Sequence, residues 1–250
     1  MNEEIGYRRN VGKSKKMILR ILRKFSVFYK RILKIERILK IERIQDYITY
    51  LKQKDILSKS IDYIHKHNVK GDYLEFGTYK GTSFITAFEL AQEKKLNMKF
   101  FAFDSFKGLS EPQKEEKTIF EKGEYSCSLT KFEQNLKKAN VDMSKVKIVP
   151  GWYDKTLSDR TKKFLNIKKA SIILIDCDIY EPAKLVLEFI TDYTQKNTII
   201  IFDDWYCFNG RKNVGEVKAF IEWKSMYPKI KFKKFYEYGL VGNSFIVTRT

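Results

Sequence analysis

The chain has 250 residues, 43% of them hydrophobic and 15% aromatic, and a formal net charge of +18. That supports one large domain with a full core and excludes disorder throughout. Three widely spaced cysteines, Cys127, Cys177 and Cys207, with no paired spacing, argue against a disulfide framework or a cysteine zinc site and fit a reducing compartment.

The charge is uneven. Residues 1–45 hold 14 Lys and Arg against 4 acids, and the remainder 35 against 27. Such a segment suits an anionic lipid surface, nucleic acid or an acidic partner, or serves only as a solubilising arm. Lys and Arg interrupt its apolar residues every two or three positions, so no secretory signal is expected there. Nowhere does the sequence reach the roughly 18–20 uncharged apolar residues of a membrane span. The expected location is cytoplasmic, with peripheral membrane contact open to the basic helix.

In chain order, residues 1–16 read as a disordered basic arm. A helical pattern free of Pro and Gly runs from Met17 to about Leu51. Inside it Arg31–Glu36 repeats as Arg37–Glu42. A six-residue step turns about 600°, so the repeat holds no fixed stripe and makes no coiled-coil seam. A short helix is expected from Asp55 to His67. His65 and His67, the only histidines, have no ligand partners nearby and read as surface residues. Residues 1–70 are thus expected to form a basic, largely helical extension, and 71–250 the main domain.

From Asp72 the pattern alternates. Strands are predicted at Asp72–Gly77, Lys99–Asp104, Lys145–Val149, Ile172–Asp176 and Thr198–Asp203, with helices at 81–93, 131–139, 157–165, 182–193 and 214–226. Two strands, Lys229–Tyr236 and Asn243–Thr248, close the chain with no helix between them. This predicts an α/β fold: a Rossmann-like, doubly wound, mostly parallel seven-stranded sheet with an antiparallel hairpin at one edge. Residues 107–130 form an unusually long polar connection, the expected lid over a site. Phe120 and Tyr125 are its obvious stacking residues.

In such sheets ligands bind beyond the carboxyl ends of the strands, and the distinctive residues gather there. Leu74-Glu75-Phe76-Gly77-Thr78-Tyr79-Lys80-Gly81-Thr82-Ser83 is a strand, a glycine turn and a helix start. It brings backbone N–H groups to a ligand, yet it is neither a GxGxxG fingerprint nor a P-loop. Phe103-Asp104-Ser105-Phe106-Lys107-Gly108-Leu109 ends a strand with an acid suited to two vicinal ribose hydroxyls, or to a turn. Asp176-Cys177-Asp178 and Asp203-Asp204 end two further strands. Four carboxylates so placed repel one another unless a cation or proton sits among them.

Those segments, with Pro150-Gly151-Trp152-Tyr153, Asp176-Cys177-Asp178-Ile179-Tyr180-Glu181-Pro182 and Asp203-Asp204-Trp205, resemble in order and spacing the macrocin O-methyltransferase family over about residues 71–225. The resemblance implies a class I S-adenosylmethionine-dependent methyltransferase acting with Mg²⁺ on a sugar hydroxyl. It implies cofactor contacts at Glu75, Gly77, Thr78, Tyr79, Ser83, Asp104, Ser105, Gly151, Trp152 and Asp176. It implies Asp176, Asp203 and Asp204 as metal ligands and Asp178 as the general base. Tyr180 and Trp205 are candidate substrate contacts, with core packing the competing role for both and for Trp152. The acceptor expected is a sugar or glycan precursor, and the assembly a homo-oligomer. Two other readings stand beside this one: an RNA-binding methyltransferase anchored by the basic tail, disfavoured by the acids at the site, and a non-catalytic scaffold at a membrane surface.

Overall fold

The computed structural model describes residues 42–250. The basic arm, most of the hexad repeat and the membrane contact expected of them lie outside the described residues. No helix among the described residues is long and apolar enough to cross a membrane.

Five parallel strands and one antiparallel pair form a single sheet: β1 (Asp72–Phe76), β2 (Phe100–Asp104), β3 (Val146–Pro150), β4 (Ala170–Ile175), β5 (Ile199–Phe202), β6 (Lys231–Tyr238) and β7 (Gly242–Arg249). Their order is β3-β2-β1-β4-β5-β7-β6. Strand order reverses at β1, whose neighbours are β2 and β4, which opens a crevice at the carboxyl ends. The closing hairpin is present as expected, with β7 paired antiparallel to β5 and β6 on the edge. Edge strand β6 carries exposed Lys231, Lys233 and Lys234, which discourages pairing with another chain.

Period-two alternation divides the sheet between two apolar layers. Leu74, Phe76, Phe101, Phe103, Ile173, Ile175, Ile200 and Phe202 face one side. There they meet α6 (Tyr180–Ile190) and α7 (Gly215–Met226). Tyr73, Phe100, Ala102, Ile172, Leu174, Ile199 and Ile201 face the other, covered by α1 (Glu42–Lys66), α2 (Thr82–Glu93) and α3 (Leu129–Lys138). Both faces of β4 and β5 are buried, which is why these strands read as unbroken apolar runs.

The structure departs from the expected elements in two places. The helix expected to end near Leu51 and the one expected from Asp55 are one continuous helix, α1, because no Gly or Pro interrupts residues 42–66. Ile56, Leu57, Ile61 and Ile64 of α1 are buried in the same layer as the sheet residues, each contributing about 1.5–3 kcal/mol by apolar burial. The second half of α1 therefore shares the core of the sheet. The helix expected over 157–165 is present, two residues shorter at its start, and an unexpected turn stands before it. A single turn, α4 (Tyr153–Thr156), precedes α5 (Asp159–Leu165). The break falls where the Ser158 side chain accepts the Thr161 N–H as an N-cap.

Candidate active site

A cavity of about 560 Å³ opens at the carboxyl ends of β1, β2, β4 and β5. Gly77 fixes the closest approach of two of them. Its φ is +88°, and a Cβ there would lie 1.9 Å from the Asp176 carbonyl oxygen. Only glycine permits both. The turn brings Thr78, Tyr79 and Ser83 to the cavity wall.

Asp104 ties this turn to the next strand. Its Oδ2 accepts the Thr78 and Tyr79 backbone N–H groups at 2.7 and 3.0 Å, and its Oδ1 accepts the Phe106 N–H at 2.7 Å. Asp104 thus organises two loops from where it lines the cavity. Ser105 and Trp152 line the same wall. Two of the expected cofactor contacts do not line it. Gly151 is turned to the backbone, its N–H on the Asp104 carbonyl at 2.8 Å. Glu75 lies fully buried behind the turn, accepting the Ser83 hydroxyl at 2.6 Å and the Tyr73 hydroxyl. Burial pushes the Glu75 carboxyl up to about 8, against the pull of those two hydrogen bonds.

The acids of β4 and β5 meet at the other end. Asp176, Asp178 and Asp204 each offer a carboxylate oxygen within 4.8 Å of the other two. Asp203, the expected third ligand, is not in this trio. It borders the cavity, with Oδ2 3.3 Å from Lys52 Nζ and Oδ1 accepting the Tyr238 hydroxyl at 2.9 Å. Asp203 and Asp204 are consecutive residues at the end of a strand, so their side chains diverge; Asp204 turns toward Asp176, and Asp203 toward α1 and β6. Enclosure raises the Asp176 pKa well above the carboxylate range, and Asp203, Asp204 and Asp178 raise it further, while Lys52 lowers it. A fifth acid backs the group: Glu216, buried at the start of α7, accepts the Asp204 N–H at 3.1 Å. Its pKa is also raised, first by burial and then by Asp204 and Asp178.

The trio offers the donor type that a hard divalent cation takes: several carboxylate oxygens close together. Carboxylates this close repel one another, and a cation or a proton among them eases that repulsion.

Tyr180 and Trp205 do not line the cavity. The Tyr180 hydroxyl donates to Glu222 at 2.6 Å, and Lys218 Nζ lies 3.8 Å from its ring centroid. Trp205 packs against Phe202, Phe220 and Phe245. Both adjoin the acids in sequence, but the helix start and the turn after β5 swing them into packing. Of the long loop, Tyr125 lines the cavity, edge-on to Tyr79 at 6.1 Å, whereas Phe120 is buried in a separate apolar cluster beneath it.

Lys52, Gln53 and Glu216 also border the acids, and none of them stood out in the sequence as a site residue. Lys52 and Gln53 are polar residues on a long helix in a Lys-rich chain, and nothing local distinguishes them. Gln53 Nε2 donates to Asp176 Oδ2 at 3.2 Å. For Glu216 one signal existed, an acid in the first turn of a helix just after Gly215.

The sequence profile of the family described as macrocin-O-methyltransferase (TylF) matches residues 49–228. Among solved structures, the O-methyltransferase NovP shares 18% identity at a TM-score of 0.66, covering 78% of this chain and 79% of that one. The calicheamicin methyltransferase CalS11 shares 17% identity at 0.61, covering 93% and 92%. An apo structure of CalS11, described as a TDP-rhamnose 3'-O-methyltransferase, shares 17% identity at 0.56, covering 93% and 94%. At these identities the likeness establishes the fold. No curated protein matches the sequence significantly.

Proposed function

The chain belongs to the macrocin O-methyltransferase family, and on that premise we propose that it moves the methyl group of S-adenosylmethionine to a sugar hydroxyl with the help of Mg²⁺. The observation that carries the reading is the acid trio, Asp176, Asp178 and Asp204, sharing one cavity with the Gly77 turn. CalS11, of similar fold, is described as acting on TDP-rhamnose, which supports a sugar acceptor.

S-adenosylmethionine supplies an electrophilic methyl group, and Mg²⁺ a positive charge that lowers the pKa of a nearby hydroxyl. The chain supplies alignment and a proton acceptor. Thr78, Tyr79, Asp104 and Trp152 hold the cofactor side of the cavity. Asp176, Asp203 and Asp204 would hold the cation, and the Asp178 carboxylate, within 4.8 Å of Asp176 and Asp204, would add its charge to the site. Asp178 takes the hydroxyl proton as the oxygen forms its bond to the methyl carbon and the carbon–sulfur bond breaks. Tyr125 and Leu109 wall the acceptor side, excluding water from the line of attack.

The test is methyl transfer from labelled S-adenosylmethionine to a panel of nucleotide sugars and glycosylated metabolites, with Mg²⁺ or with chelator. Label should enter a sugar hydroxyl only when Mg²⁺ is present. Transfer that persists in chelator sinks the metal role, and failure to bind S-adenosylmethionine in calorimetry sinks the whole reading.

A further inference from the structure

The loop that walls the cavity also reaches underneath it. Its base is closed by two backbone bonds, Leu109 N–H to Glu124 O and Gly123 N–H to Leu109 O, both 2.9 Å. At its far end a single 3-10 turn, Glu116–Thr118, carries a fully buried glutamate. Glu116 Oε1 accepts the Tyr180 N–H at 2.7 Å, and Oε2 accepts the Gln113 N–H at 2.8 Å. The Gln113 side chain donates to Glu181 Oε1 at 2.9 Å. Phe120, whose N–H bonds the Glu116 carbonyl, shares an apolar cluster with Ile179. Three consecutive residues, Ile179, Tyr180 and Glu181, are therefore held by the loop, and all follow Asp178 directly.

Asp178 needs such a hold. Its φ is +61°, and the Ile179 N–H closes on the Cys177 carbonyl at 2.6 Å across it. A left-handed non-glycine residue costs on the order of 1 kcal/mol or more and persists only when its surroundings fix it. On one side β4 fixes it. On the other side α6 begins with Ile179 at its N-cap, and Ile179 has no side-chain oxygen to cap the helix. Glu116 supplies that cap from 64 residues away. A carboxylate is suited to the positive end of an 11-residue helix, and its two N–H bonds offset the cost of burial.

We infer that Glu116 is a positioning residue for Asp178: by capping α6 from the loop, it holds the Asp178 turn in the conformation that aims its carboxylate at Asp176 and Asp204. This rests on the role given to Asp178 above. It also means that the loop wall and the proton acceptor are assembled together.

The experiment compares full-length wild type, Glu116→Ala, Glu116→Gln, Asp178→Asn and the Glu116→Ala/Asp178→Asn double variant. Two quantities are read: amide hydrogen exchange over residues 177–183, and Mn²⁺ affinity from the paramagnetic resonance of the free ion. Glu116→Ala should exchange about fivefold to tenfold faster over 177–183, the loss of one capping bond. Glu116→Gln should stay within about threefold, since its carboxamide oxygen still accepts the Tyr180 N–H. Glu116→Ala should weaken Mn²⁺ binding by the same factor as Asp178→Asn, and the double variant no further, as expected of residues acting as a unit. Leu165→Ala, a core truncation on α5, controls for lost stability and should keep both wild-type values. Wild-type exchange in Glu116→Ala, or Mn²⁺ losses that multiply in the double variant, would overturn the inference. Should the wild type bind no Mn²⁺, or Asp178→Asn leave its affinity unchanged, exchange over 177–183 alone decides the role of Glu116; the first of these outcomes sinks the cation reading separately.

Discussion

Lys52 on α1 donates to Asp203 at the end of β5, with Nζ and Oδ2 3.3 Å apart across 151 positions of sequence. It is a positive charge built into a group of five acids, and it lowers the pKa of Asp176. A resident ammonium and an incoming divalent cation repel each other in such an enclosed place. Lys52→Met should therefore bind Mn²⁺ about tenfold more tightly, a change of ~1.4 kcal/mol, while melting lower than wild type in chelator. Unchanged or weaker Mn²⁺ binding would show that Lys52 does not oppose the cation.

Asp178→Asn and Asp204→Asn should fail differently. Loss of a general base lowers turnover by about 10²–10⁴-fold, and excess Mg²⁺ should not restore it in Asp178→Asn. Asp204→Asn removes a cation ligand, so its turnover should recover in part as Mg²⁺ is raised. Titrating Mg²⁺ against methyl transfer separates the two. Equal rescue of both variants would remove the proposed division of labour.

Glu75 links stability to pH. Its carboxyl titrates near 8 in the folded chain because it is buried, and near the ordinary 4.5 once exposed. Between those values the folded state holds a proton that the unfolded state releases. The stabilisation is complete below about 4.5 and is lost as pH rises through about 8, at most about 5 kcal/mol. Glu75→Gln keeps the shape and never ionises. Its denaturation midpoint should overtake that of the wild type as pH goes from about 5.5 to about 8.5. Parallel profiles for the two proteins would contradict this.

Gly77→Ala tests the meeting of β1 and β4. The added Cβ would fall 1.9 Å from the Asp176 carbonyl at a φ of +88°, so backbone must move. A loss of at least about 2–3 kcal/mol in denaturant unfolding is expected, with weaker Mn²⁺ binding as Asp176 shifts. A variant of wild-type stability would mean that the two strand ends can separate freely.

The sequence by itself determined the fold class, the strand ends and the family. Unbroken apolar runs such as Ile172–Ile175 can only be buried strands here, and acids placed directly after them fall at the carboxyl edge of a parallel sheet. Period and punctuation are local properties, so they survive in one dimension. What side chains meet across the fold is not local. Tertiary structure alone decided that Asp178 stands with Asp176 and Asp204, that Asp203 turns to Lys52 and Tyr238, and that Tyr180 and Trp205 pack away from the cavity. It alone carried Lys52 and Gln53 to the acids, over 151 and 123 positions, and Glu116 to the Tyr180 N–H, over 64. The physical reason is common to all of them: a strand fixes where a side chain begins, but the turn after it and the helices packed around it fix where that side chain ends.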